Sequence, residues 1–230
     1  MNIAVIPARG GSKRIPRKNV KEFCGKPMIV HSIDVAKKTG LFNEIIVSTD
    51  SEEIAQVSKN YGANVPFTRP AELADDFTPT IPVIRHAIDW MTENRIFPKA
   101  VCCIYATAPF IQMHDLVNAY KIFNKKRWNF VFSATSFVYP IQRAFMKLET
   151  DGIKMFNPEH FETRSQDLSA AYHDAGQFYW GKPDAWLNEE VIFSESSTFY
   201  EIPNFRVVDI DKEDDWKRAE ILFKSIKQQA

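Results

Sequence analysis

Residues 2–19 read NIAVIPARGGSKRIPRKN, and the fold turns on how this run divides. The first six residues are apolar after Asn2 and end in proline, the pattern of a strand covered on both faces. The twelve that follow carry two glycines, a proline and five basic residues: Arg9, Lys13, Arg14, Arg17 and Lys18. A merely solvated basic loop needs neither a glycine pair nor a buried strand before it. Gly10 and Gly11 let the backbone approach a ligand and reach positive φ. Consecutive N–H groups of such a loop form a concave anion site. Arginine offers phosphate two bonds and lysine a compact point charge, so the loop suits a triphosphate. Neither G-x-x-x-x-G-K-[ST] nor G-x-G-x-x-G occurs here, which excludes the P-loop and the dinucleotide fingerprint.

Outward from this run, buried strands and helices alternate. Residues 26–38 read as a helix, with Pro27 in its first turn and Gly40 as its stop. Residues 44–49 (EIIVST) read as a second strand, and Asp50 opens a helix with Glu53 three positions on. A short strand at 64–68, a polar loop at 69–80 and a helix capped at or near Thr80 and running to about 94 follow. Next come a strand at 100–105, a helix at 113–124 and a strand at 130–135. This alternation implies an α/β fold built on a doubly wound, mostly parallel sheet. Ligands of such sheets bind outside the carboxyl ends of the strands, so the loops after Pro7, Thr49, Thr68 and Tyr105 form the expected functional rim.

The second half loses the alternation. Residues 140–166 are polar and aromatic, with an Asp151-Gly152 hairpin signal. They read as a small arm, bounded at 138–168, inserted in a single domain spanning 1–230. Short strands are expected at 176–181 and 198–202, and a strand ending in acids at 205–211 (FRVVDID). Residues 213–227 form a closing helix whose stripe of Trp216, Ala219, Phe223 and Ile226 belongs to the core.

The 230 residues carry 29 basic and 29 acidic side chains, so any anion site is local and general nucleic-acid binding is disfavoured. Three cysteines make no disulfide framework. Cys102 and Cys103 should face opposite sides of a strand as small buried residues. The opening apolar run is too short for a signal peptide, and no run approaches the ~18 apolar residues of a membrane helix. A cytoplasmic protein with neither membrane nor nucleic-acid partner is expected.

Asp209 and Asp211 alternate about Ile210 near the chain's end. Two carboxylates of this kind suit Mg²⁺, which leans on one or two carboxylates plus substrate phosphates. Equally, Asp211 or a neighbour would cap the last helix. Glu213, Asp214 and Asp215 complement that helix's dipole.

Taken together, PARGGSKRIPRKN (7–19), IIVSTDSEEIA (45–55), TRPAELADD (68–76), the YATAP run (105–109) and VVDIDKEDDW (207–216) resemble the cytidylyltransferases that activate nonulosonic acids, the CMP-sialic-acid-synthetase-like enzymes. The likeness spans nearly the whole chain. It implies a Rossmann-like fold of the nucleotide-diphospho-sugar transferase type, CTP and an acidic nine-carbon sugar as substrates, Mg²⁺ as cofactor, and a homodimer joined through the arm. It tips Asp209 and Asp211 to metal ligands. It gives Ala8, Arg9, Gly10, Gly11, Ser12, Lys13, Lys18, Asn19, Arg69 and Thr80 to the nucleotide. Arg9, Lys13, Lys18 and Asp209 are the catalytic set.

The sugar half departs from the sialic acid enzymes. They tend to carry an Arg-Pro-Asn-Gly-like sequence where this chain has HDAGQ (173–177), and Gln-Pro-Thr-Ser-Pro where it has YATAP. YHDAGQFYW (172–180) is similar instead to the pseudaminic acid cytidylyltransferases. Tyr105, His173, Asp174 and Gln177 are then candidate sugar contacts, with Arg143 and Arg164 of the arm as candidates for the sugar carboxylate across a dimer interface. The alternatives are another acid sugar (legionaminic acid, sialic acid or ketodeoxyoctonate) or a nucleotide-binding regulator without turnover.

Overall fold

The computed structural model describes residues 1–125 and 127–228. The chain runs through β1 (Asn2–Pro7), a minimal hairpin of β2 (Glu22–Phe23) and β3 (Lys26–Pro27), α1 (Met28–Thr39), β4 (Glu44–Ser48) and α2 (Glu52–Asn60). It continues with α3 (Thr80–Glu93), β5 (Ala100–Ile104), α4 (Met113–Phe123), β6 (Phe130–Ser136), β7 (Phe145–Lys147), β8 (Ile153–Met155) and β9 (Tyr172–Gly181). α5 (Pro183–Leu187), β10 (Ser197–Glu201) and α6 (Glu213–Gln228) complete it.

Six strands form the main sheet in the order β10-β6-β9-β5-β1-β4. β1 pairs in parallel with β4 and β5, and β6 with β10, while β9 lies antiparallel between β5 and β6. The doubly wound, mostly parallel sheet read from the sequence is therefore present. From β1 the chain first winds to β4 on one side, then returns to β5 on the other. That reversal opens a crevice beyond the carboxyl ends of β1 and β5.

Alternation of buried residues fills both faces. Ala4, Ile6, Cys102 and Ile104 pack toward α1 and α4, whereas Ile3, Val5, Val101 and Cys103 pack toward α3 and α5. The two cysteines face opposite sides and are free thiols. A third cluster joins Ile15, Phe23, Met28, Phe110, Ile210 and the Trp216, Ala219, Phe223 stripe of α6. Each fully buried aliphatic side chain contributes about 1.5–3 kcal/mol. Ile15 and Ile210 are both buried. They thus tie the basic loop and the acidic segment to one another through a common core.

Several expected elements differ. Residues 64–68 form no strand; Asn64 makes a single bridge to Ile46. Residues 205–211 form no strand either. A 3-10 turn at Asn204–Arg206 leads into unpaired chain, because Arg206 is drawn inward to the buried Asp115 of α4. The 176–181 strand extends back to Tyr172. Thr80 is the first residue of α3 rather than its cap, which is Pro79. Ser51, not Asp50, caps α2, its hydroxyl accepting the Ile54 N–H at 3.4 Å. Asp211 does not cap α6; instead Asp215 accepts the N–H groups of Asp211 and Lys212. In the arm, β7 and β8 pair about Asp151, which turns at φ 63°. Phe145, Ile153, Phe156 and Phe161 stand exposed there.

Candidate active site

The crevice at the strand ends is a two-part cleft. One part, about 500 Å³, is lined by Arg9, Ser12, Lys13, Lys18, Asn19, Arg69, Thr80 and Tyr105, among others. The other, about 610 Å³, is lined by His173, Asp174, Gly176 and the 207–211 segment. Lys18, Tyr105 and Thr107 belong to both. Cavities of this size hold small-molecule ligands.

The basic loop is built by short-range contacts. Ala8, buried, donates its N–H to Ser48 O, and Gly10 donates to Asp50 Oδ1 at 2.8 Å. A Cβ on Gly10 would lie 3.0 Å from Ser51 Cβ. Gly10 therefore serves close approach to the start of α2. Neither Gly10 nor Gly11 has positive φ, contrary to expectation; Arg17 does, at 56°. Asn19 Nδ2 donates to Arg9 O at 2.9 Å, which pins the two ends of the loop together. The amide is turned to the protein backbone, although Asn19 still lines the cleft.

The charges around the loop explain its shape. Asp76 pairs with Arg9 at 2.6 Å and also with Lys13. These two donors, Lys13 foremost, hold its carboxyl below the ordinary range. Arg14 pairs with Asp211. Lys18 donates to Ile210 O and stands 3.7 Å from Asp211 Oδ1. The basic loop and the acidic segment thus share one cleft, although Lys18 and Ile210 lie 192 positions apart in sequence. Burial pushes the Lys18 ammonium below its ordinary value, against the opposing pull of Asp211 and Asp209.

Arg69 is buried and bonds Ser48 Oγ at 3.1 Å, Ser48 O and Leu73 O. Burial lowers its guanidinium to about 10, so it keeps its charge at neutral pH. It props the end of β4 beneath the cleft. Thr80 Oγ1 and Tyr105 Oη lie 2.7 Å apart. Burial pushes the Tyr105 phenol up to about 12, so it remains protonated where the two halves of the cleft meet.

Asp209 is exposed and Asp211 half-buried, set two positions apart around the buried Ile210. Among the described residues no three His, Cys, Asp or Glu side chains converge. A pair of carboxylates beside a phosphate-sized basic loop fits Mg²⁺, which takes most of its remaining ligands from water and phosphate. It does not fit a metal that needs a closed protein cage.

Ala8, Gly10 and Gly11 are not among the residues that line the cleft, and three candidate sugar contacts do not reach it from their own chain. Gln177 is turned into the core, where Nε2 donates to Arg206 O at 2.8 Å. Arg143 donates to Phe161 O, and Arg164 pairs with Asp167, both on the exposed arm. Conversely, Asp50, Tyr179 and the Arg206–Asp115 pair shape the site without having been signalled. Arg206 Nη1 and Nη2 grip Asp115 at 2.5 and 2.9 Å with both side chains buried. Those partners lie 91 positions apart, so no local pattern marks them.

The chain is similar to known proteins. The chain is 47% identical over 224 residues to the pseudaminic acid cytidylyltransferase of Campylobacter jejuni subsp. jejuni, covering 97% of this chain and 96% of that one. It is 38% identical over 210 residues to the Helicobacter pylori protein named pseudaminic acid cytidylyltransferase and UDP-2,4-diacetamido-2,4,6-trideoxy-beta-L-altropyranose hydrolase, covering 90% of this chain and 40% of that one. A solved CMP:2-keto-3-deoxy-manno-octonic acid synthetase complexed with CTP has the same fold, with a TM-score of 0.70 at 16% identity over 97% of this chain and 98% of that one. Residues 3–228, from the first strand to the end of the closing helix, match the cytidylyltransferase family, and the chain belongs to it.

Proposed function

We propose that this protein transfers CMP from CTP to the anomeric hydroxyl of pseudaminic acid, giving the CMP-sugar and pyrophosphate. The observation that carries the reading is the junction of Lys18 with Ile210 and Asp211, which sets the cationic loop and the acidic segment around one cleft. The 47% identity to a pseudaminic acid cytidylyltransferase across almost the whole chain supports the choice of acceptor.

In this reading the triphosphate lies along Arg9, Lys13 and Lys18, with the backbone of residues 8–12 beneath it and Asn19, Arg69 and Thr80 framing the nucleotide. Asp76 gives up its hold on Arg9 and Lys13 as the phosphates arrive. The sugar occupies the half lined by Tyr105, His173 and Asp174. Its anomeric hydroxyl attacks the α-phosphorus and gives its proton to water, the α–β bridging bond breaks, and pyrophosphate leaves with that electron pair. Catalysis is positioning and charge neutralisation rather than covalent chemistry. Lys18 and Arg9 hold the charge that grows on the departing pyrophosphate. Asp209 and Asp211 would hold Mg²⁺, which supplies further neutralisation of phosphate charge.

The protein acts as a homodimer through its arm at 138–168. The exposed Phe145, Ile153, Phe156 and Phe161 support this, since apolar side chains grouped in this way mark an interaction surface. Arg143 and Arg164 would then reach the partner's cleft. No described helix is long and apolar enough to cross a membrane. Pyrophosphate release from CTP and Mg²⁺ with a panel of acid sugars tests the reading. Turnover with pseudaminic acid is expected. Silence with every acid overturns the enzyme, and equal turnover with sialic acid overturns the specificity.

A further inference from the structure

Asp174 and Tyr179 are five positions apart on β9, so an unbroken strand would set them on opposite faces. They lie on the same face. Phe132 of β6 pairs with Tyr179, yet Ala134 pairs with Asp174, so two steps on one strand match five on the other. Gly176 turns within this bulge at φ 59°, a conformation that strains any side chain. Bulges beside sites commonly re-aim a side chain in this way.

The result is a carboxylate held from two sides. Tyr179 Oη donates to Asp174 Oδ2, and the Gly176 N–H donates to Oδ1 at 2.9 Å. The tyrosine is buried, packed 5.5 Å from the Tyr105 ring and stacked 6.3 Å from Phe132. Burial raises its phenol far above the ordinary value, so it is a donor throughout the working pH range. Asp174 itself lines the sugar half of the cleft beside His173. An ionised carboxylate only accepts hydrogen bonds and repels another carboxylate. With both oxygens held, it keeps free lone pairs and one orientation.

We infer that Tyr179 is a positioning residue which, with Gly176, fixes Asp174 as the acceptor for a neutral N–H or O–H donor of the sugar, away from the sugar's own carboxylate. The inference rests on the function proposed above. A site built around such an acceptor rejects an analogue lacking the donor far more strongly than an apolar pocket rejects a missing methylene. The bulge is then a specificity device, and the Tyr105 ring against Tyr179 connects it to the nucleotide half.

Steady-state kinetics on Tyr179→Phe, Asp174→Asn and the double variant test this. Tyr179→Phe should raise the KM for the acid sugar about tenfold, the loss expected for one hydrogen bond to a charged group. The KM for CTP and kcat should stay within twofold. The double variant should be no worse than Asp174→Asn alone, since both changes act on one contact. Gly176→Ala, with Tyr179 intact, should reproduce the sugar-specific rise and carries the test should the phenylalanine variant fail to fold. Equal rises in both KM values, or fully additive single effects, would overturn the inference while leaving wild-type turnover in place. Absence of turnover by the wild type with every acid sugar would overturn the proposed function, and this assignment with it.

Discussion

Replacing Lys18 by Met removes one charge and little volume, and its two consequences differ greatly in size. Lys18 Nζ donates to Ile210 O and lies 3.7 Å from Asp211 Oδ1, with side-chain exposures of 17% and 27%. At an effective dielectric near 20 the Coulomb attraction at that distance is about 4 kcal/mol. Desolvation opposes it, as the downward shift of the ammonium shows, and Arg14 still pairs Asp211 in the variant. The net loss of stability is on the order of 1 kcal/mol, and Ile210 remains anchored in the third core cluster. For a chain of this length that is a fall in Tm of roughly 2–4 °C. Turnover is another matter, because Lys18 is the cation shared by both halves of the cleft. Loss of one preorganised donor to developing charge costs about 100- to 1000-fold in kcat. Pyrophosphate release and a thermal melt on the same preparation read both quantities. Activity within threefold of wild type, or a collapse of Tm that accounts for the lost activity, would rule out this role for Lys18.

Three further outcomes follow from the same geometry. Arg206→Met removes the buried cation from Asp115 and leaves it the Gln112 N–H at 2.8 Å and His114 Nε2 at 3.2 Å, which should cost about 3–5 kcal/mol and lower Tm by roughly 6–20 °C in calorimetry; an unchanged Tm would mean that the pair is not formed. Gly10→Ala sets a Cβ 3.0 Å from Ser51 Cβ, so the loop must shift, and kcat/KM for CTP should fall about tenfold with the fold retained by circular dichroism. The pH profile of kcat/KM should lose activity on the alkaline side below the ordinary lysine value of 10.5, because burial lowers Lys18 and the charged form is the active one. Lys18→Arg should move that limb upward, and a limb identical in the variant would assign it to another group.

The parts of the fold that are legible in the sequence are those whose signal is local. β1, β4, β5 and β6 are short apolar runs because helices cover both faces, and the basic loop is marked by its place after β1. β9 is only half legible: its polar start, residues 172–175, lies over the cleft and carries no apolar alternation. The segment at 205–211 looks like a strand but has no strand partner among the described residues, and a distant buried carboxylate decides its path. Alternation about Ile210 still places Asp209 and Asp211 together, since burial of that one side chain turns its neighbours toward the cleft. Asp76 closes the TRPAELADD run, of which Arg69 is the residue read as a nucleotide contact, and it pairs with Arg9 and Lys13, a tertiary contact that no spacing announces. The reach of Tyr179 to Asp174 depends on a bulge, and a lone glycine in a polar stretch is too weak a sign of one.

Calorimetric titration of CTP with and without Mg²⁺, on the wild type and on Asp209→Ala, bears most directly on the claim that the cationic loop and the acidic segment grip one nucleotide. Wild-type affinity should rise at least about tenfold with the ion, the size of one charge-assisted contact, and the variant should show no such gain. An affinity indifferent to Mg²⁺ in the wild type, or the same gain in the variant, would contradict the account.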